Sequence, residues 1–273
     1  MTRVDVGGVM LNVEVAGSGP PVVLLHGFTG SANSWRRVVE DLSPEFTTIA
    51  MDIIGHGKSD SPESPDHYRM RQVVDDLAKL LQLAGYPHAT WLGYSMGGRT
   101  ALQVAANRPD VVHALILEGA SPGMRTPEER EARVASDEKL ATLLDTEGIE
   151  PFVNFWQDVS LFESQKTHLT PEQWERQRAG RLGNSTRGLA SSLRGMGTGS
   201  QEPLHDRLGE LKVPVYCMAG EWDTRYTDTA REMAAAIPNA TMAVIEGGGH
   251  AAHLENPERF TALVLDWLRK VHA

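Results

Sequence analysis

Cysteine is almost missing: the 273-residue chain holds one, Cys217. It has no partner for an internal disulfide and cannot build a thiolate metal site, so nothing in the cysteine usage calls for an oxidising compartment. Long apolar runs are missing too. None approaches the roughly 18 residues of a membrane span, and the opening MTRVDVGGVM has no apolar segment behind its arginine, which together read as a cytoplasmic chain. A basic excess is also lacking. With 26 Lys and Arg against 36 Asp and Glu, the net charge is −10, and such a chain sets up no global field to attract phosphate backbones or anionic lipid. Nucleic acid and membrane are therefore not expected as partners. Internal repeats and low-complexity tracts are absent, and 41% hydrophobic with 23% charged residues sits close to the soluble globular average, which excludes disorder, collagen and coiled coil. At roughly 150 residues per domain the length gives a prior just under two, although one α/β domain of this size is common.

What is present is a recurring short apolar run. Pro20 to His26 (PPVVLLH) is rich in β-branched residues and bounded by prolines before and HGFTG after, the pattern of a strand buried on both faces. It returns at Thr47–Asp52, Ala89–Gly93, Val112–Glu118, Val213–Gly220 and Thr241–Glu246. Helical periodicity lies between several of these, over Arg71–Leu83, Gly97–Asn107 and Pro257–Val271, the last with Asn256 as its cap. Alternating strands and helices predict an α/β protein with a mostly parallel, doubly wound sheet. Residues 121–185 break the alternation: they are charged, helix-prone and strand-poor. The expected organisation is a core of residues 1–120 and 186–273 with a helical lid over 121–185. The aromatics Phe152, Phe155 and Trp156 in that segment read either as anchors on the sheet or as pocket lining.

The sharpest motif is Gly93-Tyr94-Ser95-Met96-Gly97, a G-x-S-x-G element directly after an apolar strand and before a helical pattern. Such a turn holds its serine in a strained conformation at a helix start, so its neighbours must be small. A serine hydroxyl is a weak nucleophile or base at neutral pH and needs a histidine, held in turn by a carboxylate. Asp223, in GEWD after VPVYCMAG, and His250, in GGGH after TMAVIE, both fall at carboxyl ends of strands, where sites in open α/β sheets gather. Glu221, Glu118 and His253 are the rivals. His250 and His253 have no third ligand at metal spacing, so no metal and no cofactor are expected. An oxyanion site needs two main-chain N–H groups aimed at one point; Met96, after the serine, and Phe28, in the His26-Gly27-Phe28 turn, are placed to supply them. The loop Asp52–Ser59 reads as structural, with no chemistry assigned to His56.

The elbow, HGFTG, GHGKS and GGGH, in the order Ser95, Asp223, His250, resemble the α/β-hydrolase superfamily over nearly the whole chain. More narrowly, HGFTGSANSW, GYSMGGRTAL, LEGASPGMRTPEEREAR, GLASSLRGMGTGSQ and GEWDTRY resemble the 2-succinyl-6-hydroxy-2,4-cyclohexadiene-1-carboxylate synthases, lyases of menaquinone biosynthesis. That resemblance implies elimination of pyruvate from 2-succinyl-5-enolpyruvyl-6-hydroxy-3-cyclohexene-1-carboxylate, with the triad as a base that abstracts a ring proton. It further implies that Arg130 and Arg181 hold carboxylates of a small polycarboxylate substrate, and that Tyr94 and Trp156 belong to the pocket. Arg99 lies four residues after Ser95, one turn into the elbow helix, so its guanidinium can reach the pocket floor and grip a carboxylate. Arg225-Tyr226 stands where the family often has lysine-phenylalanine, and Arg125 where it can have glutamine, so their contributions stay open. The competing expectations are a carboxylesterase or carbon–carbon bond hydrolase with Ser95 as nucleophile, and a ligand-binding member without catalysis, against which the three intact residues argue. A monomer is the favoured assembly.

Overall fold

The computed structural model describes residues 2–273. Its centre is an eight-stranded sheet, made of β1 (Thr2–Asp5), β2 (Met10–Ala16), β3 (Pro21–Leu25), β4 (Thr47–Met51), β5 (Ala89–Tyr94), β6 (Val112–Glu118), β7 (Val215–Gly220) and β8 (Ala240–Ile245). The spatial order is β1-β2-β4-β3-β5-β6-β7-β8. From β4 onward every pairing is parallel, while β1 on β2 and β2 on β4 are antiparallel. The six runs read as strands all lie in this sheet. The antiparallel pair at the start is an addition; β2 buries Leu11, Asn12 and Val13, while β1 has no buried residue.

The helices are α1 (Arg36–Leu42), α2 (Met70–Leu83), α3 (Met96–Asn107), α4 (Pro127–Glu147), α5 (Ile149–Trp156), α6 (Glu163–His168), α7 (Pro171–Leu182), α8 (Thr186–Met196), α9 (Thr224–Ala236), α10 (Ala252–Glu255) and α11 (Pro257–Val271). Central strands feed two cores because successive side chains point to opposite faces. Val23 and Leu25 of β3, Trp91 of β5 and Leu115 and Leu117 of β6 join α2, α3 and α9 on one face. Val22 and Leu24, Leu92 and Ile116 join α1 and α11 on the other. Each such side chain removed from water contributes roughly 1.5–3 kcal/mol, which is why continuous apolar runs, not alternating ones, specify these strands.

Between β6 and β7 the chain makes five helices, α4 to α8, and no strand. Ala141 and Leu144 of α4, Phe152 and Val153 of α5, and Leu189, Ala190 and Leu193 of α8 form a third apolar cluster. Thus α8 packs with the helical segment as well as with the core, where Met196 lies. The loop Asp52–Ser59 is built around the buried Asp52, whose carboxylate accepts from the amides of Ala32 (2.6 Å) and Lys58 (2.8 Å) and from Asn12 Nδ2 (2.9 Å). Gly57 sits against that carboxylate at φ 54°, where a Cβ would collide with it.

Candidate active site

Ser95 stands between the end of β5 and the start of α3 with φ 51° and ψ −111°. It is one of two non-glycine residues with positive φ among those described, Thr29 being the other, and such strain persists only where the surroundings impose it. The flanking glycines are the means. A Cβ on Gly93 would run into the Gly97 carbonyl, and one on Gly97 into the carbonyls of Leu25 and His26, so the turn closes this tightly only with both positions bare. The Ser95 amide donates to the Glu118 carbonyl at 2.8 Å, anchoring the elbow to β6.

The structure brings Ser95, His250 and Asp223 together. Ser95 Oγ lies 3.0 Å from His250 Nε2, and His250 Nδ1 lies 2.6 Å from Asp223 Oδ2. A carboxylate only accepts, so Nδ1–H donates to Asp223 and Nε2 is left to accept from the serine. Asp223 also caps α9, its other oxygen accepting from the Tyr226 amide at 3.3 Å, which fixes the carboxylate from both sides. Glu221 instead accepts from the Gly247 amide at 3.0 Å, as a turn residue does. Met96 is the first residue of α3, so its N–H belongs to the unpaired donors of a helix start, and Phe28 lies in a turn closed by Gly30 N–H to Gly27 O at 2.9 Å.

Two cavities flank a wall made by Phe28, Tyr94 and Phe162. Ser95 opens on the smaller, of 420 Å³, with Met96, Arg99, Arg133, Trp156 and Tyr226 around it. Arg99 is buried, and its guanidinium donates to Met196 O (3.0 Å) and to Gln201, both neutral acceptors. Burial, and secondarily the charge of Arg133, pulls its pKa down to about 10, which leaves it charged at neutral pH. Trp156 stacks on Phe152, and its buried indole N–H has no partner among the described residues.

Two of the arginines carried over from the family lie elsewhere. Arg181 lines the second cavity, of 470 Å³, beside His253 and Tyr94. It stacks its guanidinium 5.0 Å over the Phe162 ring and donates to Gln177 Oε1 at 3.2 Å, with burial lowering its pKa. Arg130 requires a correction: it lines neither cavity and turns back to the Arg125 carbonyl at 3.3 Å. It falls in the first turn of α4, whereas the residues of that helix that line the Ser95 chamber begin three positions later, with Arg133, Ser136 and Asp137. Arg133 Nε donates to Asp137 at 2.8 Å, which leaves its terminal nitrogens for a ligand. Burial raises the Asp137 pKa against the pull of Arg133, and one of its oxygens has no partner. Sequence reasoning missed Arg133 and Asp137 because an i, i+4 pair on a charged helix reads as a solvated ion pair. Tyr226, with its ring centroid 4.5 Å from that of His250, lines the chamber; Arg225 and Arg125 are exposed. No group of three or more His, Cys, Asp or Glu placed to hold a metal ion occurs among the described residues, and none of their helices is long and apolar enough to cross a membrane.

Comparison with known proteins gives a consistent picture. Residues 20–257 match the family model described as alpha/beta hydrolase fold. A putative 2-succinyl-6-hydroxy-2,4-cyclohexadiene-1-carboxylate synthase of Bacillus subtilis (strain 168) is 39% identical over 94% of either chain. The synthase of Escherichia coli O1:K1 / APEC is 32% identical over 92% of this chain and 94% of its own. Among solved structures, MenH from S. aureus superposes with a TM-score of 0.91 at 33% identity, covering 96% of this chain and 99% of that one. A thermophilic esterase from Thermogutta terrifontis, with malate bound, does so at 0.88 and 29% identity over the full length of both chains.

Proposed function

The chain belongs to the α/β-hydrolase fold family and groups with its 2-succinyl-6-hydroxy-2,4-cyclohexadiene-1-carboxylate synthases, and from that premise we propose that it eliminates pyruvate from 2-succinyl-5-enolpyruvyl-6-hydroxy-3-cyclohexene-1-carboxylate. One observation carries the reading beyond kinship. The chamber that holds Ser95 also holds Arg99, a buried guanidinium that meets only neutral acceptors, and Arg133, held by Asp137 with its outer nitrogens free. A neutral ester would gain nothing from these two charges, whereas a polycarboxylate gains charge-assisted hydrogen bonds.

In this reading His250, oriented by Asp223, draws the Ser95 proton, and the resulting alkoxide takes a ring proton from the substrate. The electron pair left on that carbon forms a double bond to its ring neighbour, the existing ring double bond moves one position along, and the carbon–oxygen bond to the enolpyruvyl group breaks. The departing enolate takes up the proton that His250 holds and becomes pyruvate, which returns His250 and Ser95 to their starting states. Charge that accumulates on the adjacent carbonyl oxygen during this step is met by the amides of Phe28 and Met96, and the unpartnered indole N–H of Trp156 supplies a further donor in the chamber. We take the helices of residues 121–185 to act as a lid over this chamber, which would exclude water from the charged contacts.

The direct test is to supply the enolpyruvyl intermediate and follow pyruvate through lactate dehydrogenase. Release at a rate that falls by orders of magnitude in Ser95→Ala supports the reading. A second reading, hydrolysis with Ser95 as nucleophile, draws on the likeness to the Thermogutta terrifontis esterase. It predicts a burst of first product from an acyl-enzyme on neutral esters. Rapid ester turnover with a burst and no pyruvate release would select it.

A further inference from the structure

Behind Asp223 and His250 lies a second carboxylate–imidazole pair that the proposed chemistry leaves unused. Glu118 ends β6 with no exposed surface, and His253, in α10, is 2% exposed. His253 Nδ1–H donates to Glu118 Oε1 at 3.0 Å, and the His253 main-chain N–H donates to the same oxygen at 2.9 Å. Neither residue competes for the triad, because both His250 nitrogens are already engaged by Asp223 and Ser95.

The connections of the pair give it a role. Glu118 holds the nucleophile through its main chain, since its carbonyl accepts the Ser95 amide at 2.8 Å. Through its side chain it grips the turn that begins with His250. The next residue, Gly119, runs against the His250 imidazole at φ 55°, and a Cβ there would sit 3.1 Å from its Cε1. The His253 ring is held by Trp35 and Tyr94, each with its centroid 4.7 Å away, and by Phe260 at 5.9 Å. An apolar pair would fill the same space without burying polar groups. What a doubly hydrogen-bonded carboxylate–imidazole pair adds is a directional link between β6, to which the elbow after β5 is anchored, and the loop that carries His250.

We propose that Glu118 and His253 are positioning residues that set the 3.0 Å approach of His250 Nε2 to Ser95 Oγ. The proposal rests on reading Ser95, His250 and Asp223 as the working triad. A misplacement on the order of 1 Å can cost about 100-fold in rate, so a local change at the pair should be visible at Ser95.

The test compares His253→Asn, whose side-chain amide can stand where Nδ1–H stood, with His253→Gln, whose amide is displaced outward, and with Glu118→Gln. Two rates are read. One is kcat for pyruvate release. The other needs no pathway substrate: phosphonylation of Ser95 by a p-nitrophenyl phosphonate, in which the Oγ–P bond forms, p-nitrophenolate leaves and the serine proton passes to His250. The expected result is a 10- to 100-fold loss of both rates in His253→Gln with KM within twofold, most of the rate kept in His253→Asn, and an unchanged far-UV spectrum throughout. Equal rates in parent and folded His253→Gln would overturn the proposal, as would equal losses in Asn and Gln variants. A raised KM at unchanged kcat would also overturn it, making His253 a ligand contact of the 470 Å³ cavity. Should His253→Gln not fold, the isosteric Glu118→Gln decides by the same two rates. If phosphonylation follows the expected pattern while the parent releases no pyruvate, the lyase reading fails and the positioning role stands.

Discussion

A single buried guanidinium distinguishes the chemistries open to this fold. Removing one partner of a buried charged contact costs roughly 2–5 kcal/mol, so Arg99→Ala and Arg133→Ala should each lower kcat/KM for the polycarboxylate by about 30- to 5,000-fold. Arg130→Ala, at a residue that faces the Arg125 carbonyl, should stay within twofold. Parallel assays on a small neutral ester check the cause, since loss of a carboxylate contact cannot slow a substrate that has none. If Arg130→Ala proved as damaging as Arg133→Ala, the structural placement of α4 over the chamber would be wrong. Ser95→Ala, Asp223→Asn and His250→Ala should each lower turnover by several orders of magnitude, and the triple variant should be little worse than the most damaging single one, because the three act as a unit. Steady-state kinetics on all four checks this, and additive losses would mean that they act separately. How legible these residues were depended on backbone constraint. Ser95, Asp223 and His250 follow strands, and the strained elbow demands Gly93 and Gly97, so strand context and chain order picked out three side chains that the fold brings together. Arg133 and Asp137 hang on a long, charged helix whose buried face no periodicity reveals.

Elements differ in the same way. The strands β3 to β7 are continuous apolar runs because both faces are covered, and α11 announces itself by Asn256, whose side chain accepts from the Arg259 amide, followed by Pro257. By contrast β1 forms the sheet edge with no buried residue and β2, next to it, buries only Leu11, Asn12 and Val13, and such a short, polar-interrupted pattern is weak as a signal. The helix α4 has little amphipathic character, yet it begins sharply at Thr126. The Thr126 hydroxyl accepts from the Glu129 amide at 3.2 Å while Glu129 accepts from the Thr126 amide at 3.0 Å, a reciprocal cap. Thr126→Ala should cost about 1 kcal/mol, read as roughly fivefold faster amide exchange over residues 127–133 with the sheet unaffected. Uniform exchange across α4 in parent and variant would mean that packing against α8, not the cap, fixes this end. If residues 121–185 act as a lid, the same experiment with a saturating dicarboxylate should raise protection across α4 to α7.

For the molecule as a whole, two buried histidines link folding to pH. His26 and His56 lie on neighbouring segments with ring centroids 5.1 Å apart, and neither ring lines either of the two cavities described above. His26 Nε2 accepts from the Ile53 amide at 3.0 Å, which requires that nitrogen unprotonated. Burial, aided by repulsion from His26, pushes the His56 pKa down to about 3, and burial lowers that of His26 as well. Unfolded, a histidine titrates near 6.5. Below that pH the unfolded chain therefore binds protons that the folded chain refuses, so stability is full above about 6.5 and falls as pH drops toward 3. At 1.36 kcal/mol per unit, His56 alone should remove about 2 kcal/mol between pH 8 and pH 5. Asp76 and Asp137, whose carboxyls burial raises, act in the opposite sense, gaining stability on acidification. Comparing variants cancels that contribution. His56→Asn, which cannot titrate, should be less stable than the parent at pH 8 but lose about 2 kcal/mol less on moving to pH 5, measured by urea unfolding at both values. The slope carries the argument because the loss at pH 8 mixes packing with hydrogen bonding, whereas the difference between the two pH values isolates the proton that the folded site excludes. Identical pH dependence in the two proteins would mean that the fold admits the proton at His56 after all, by opening the Asp52–Ser59 loop without unfolding the sheet.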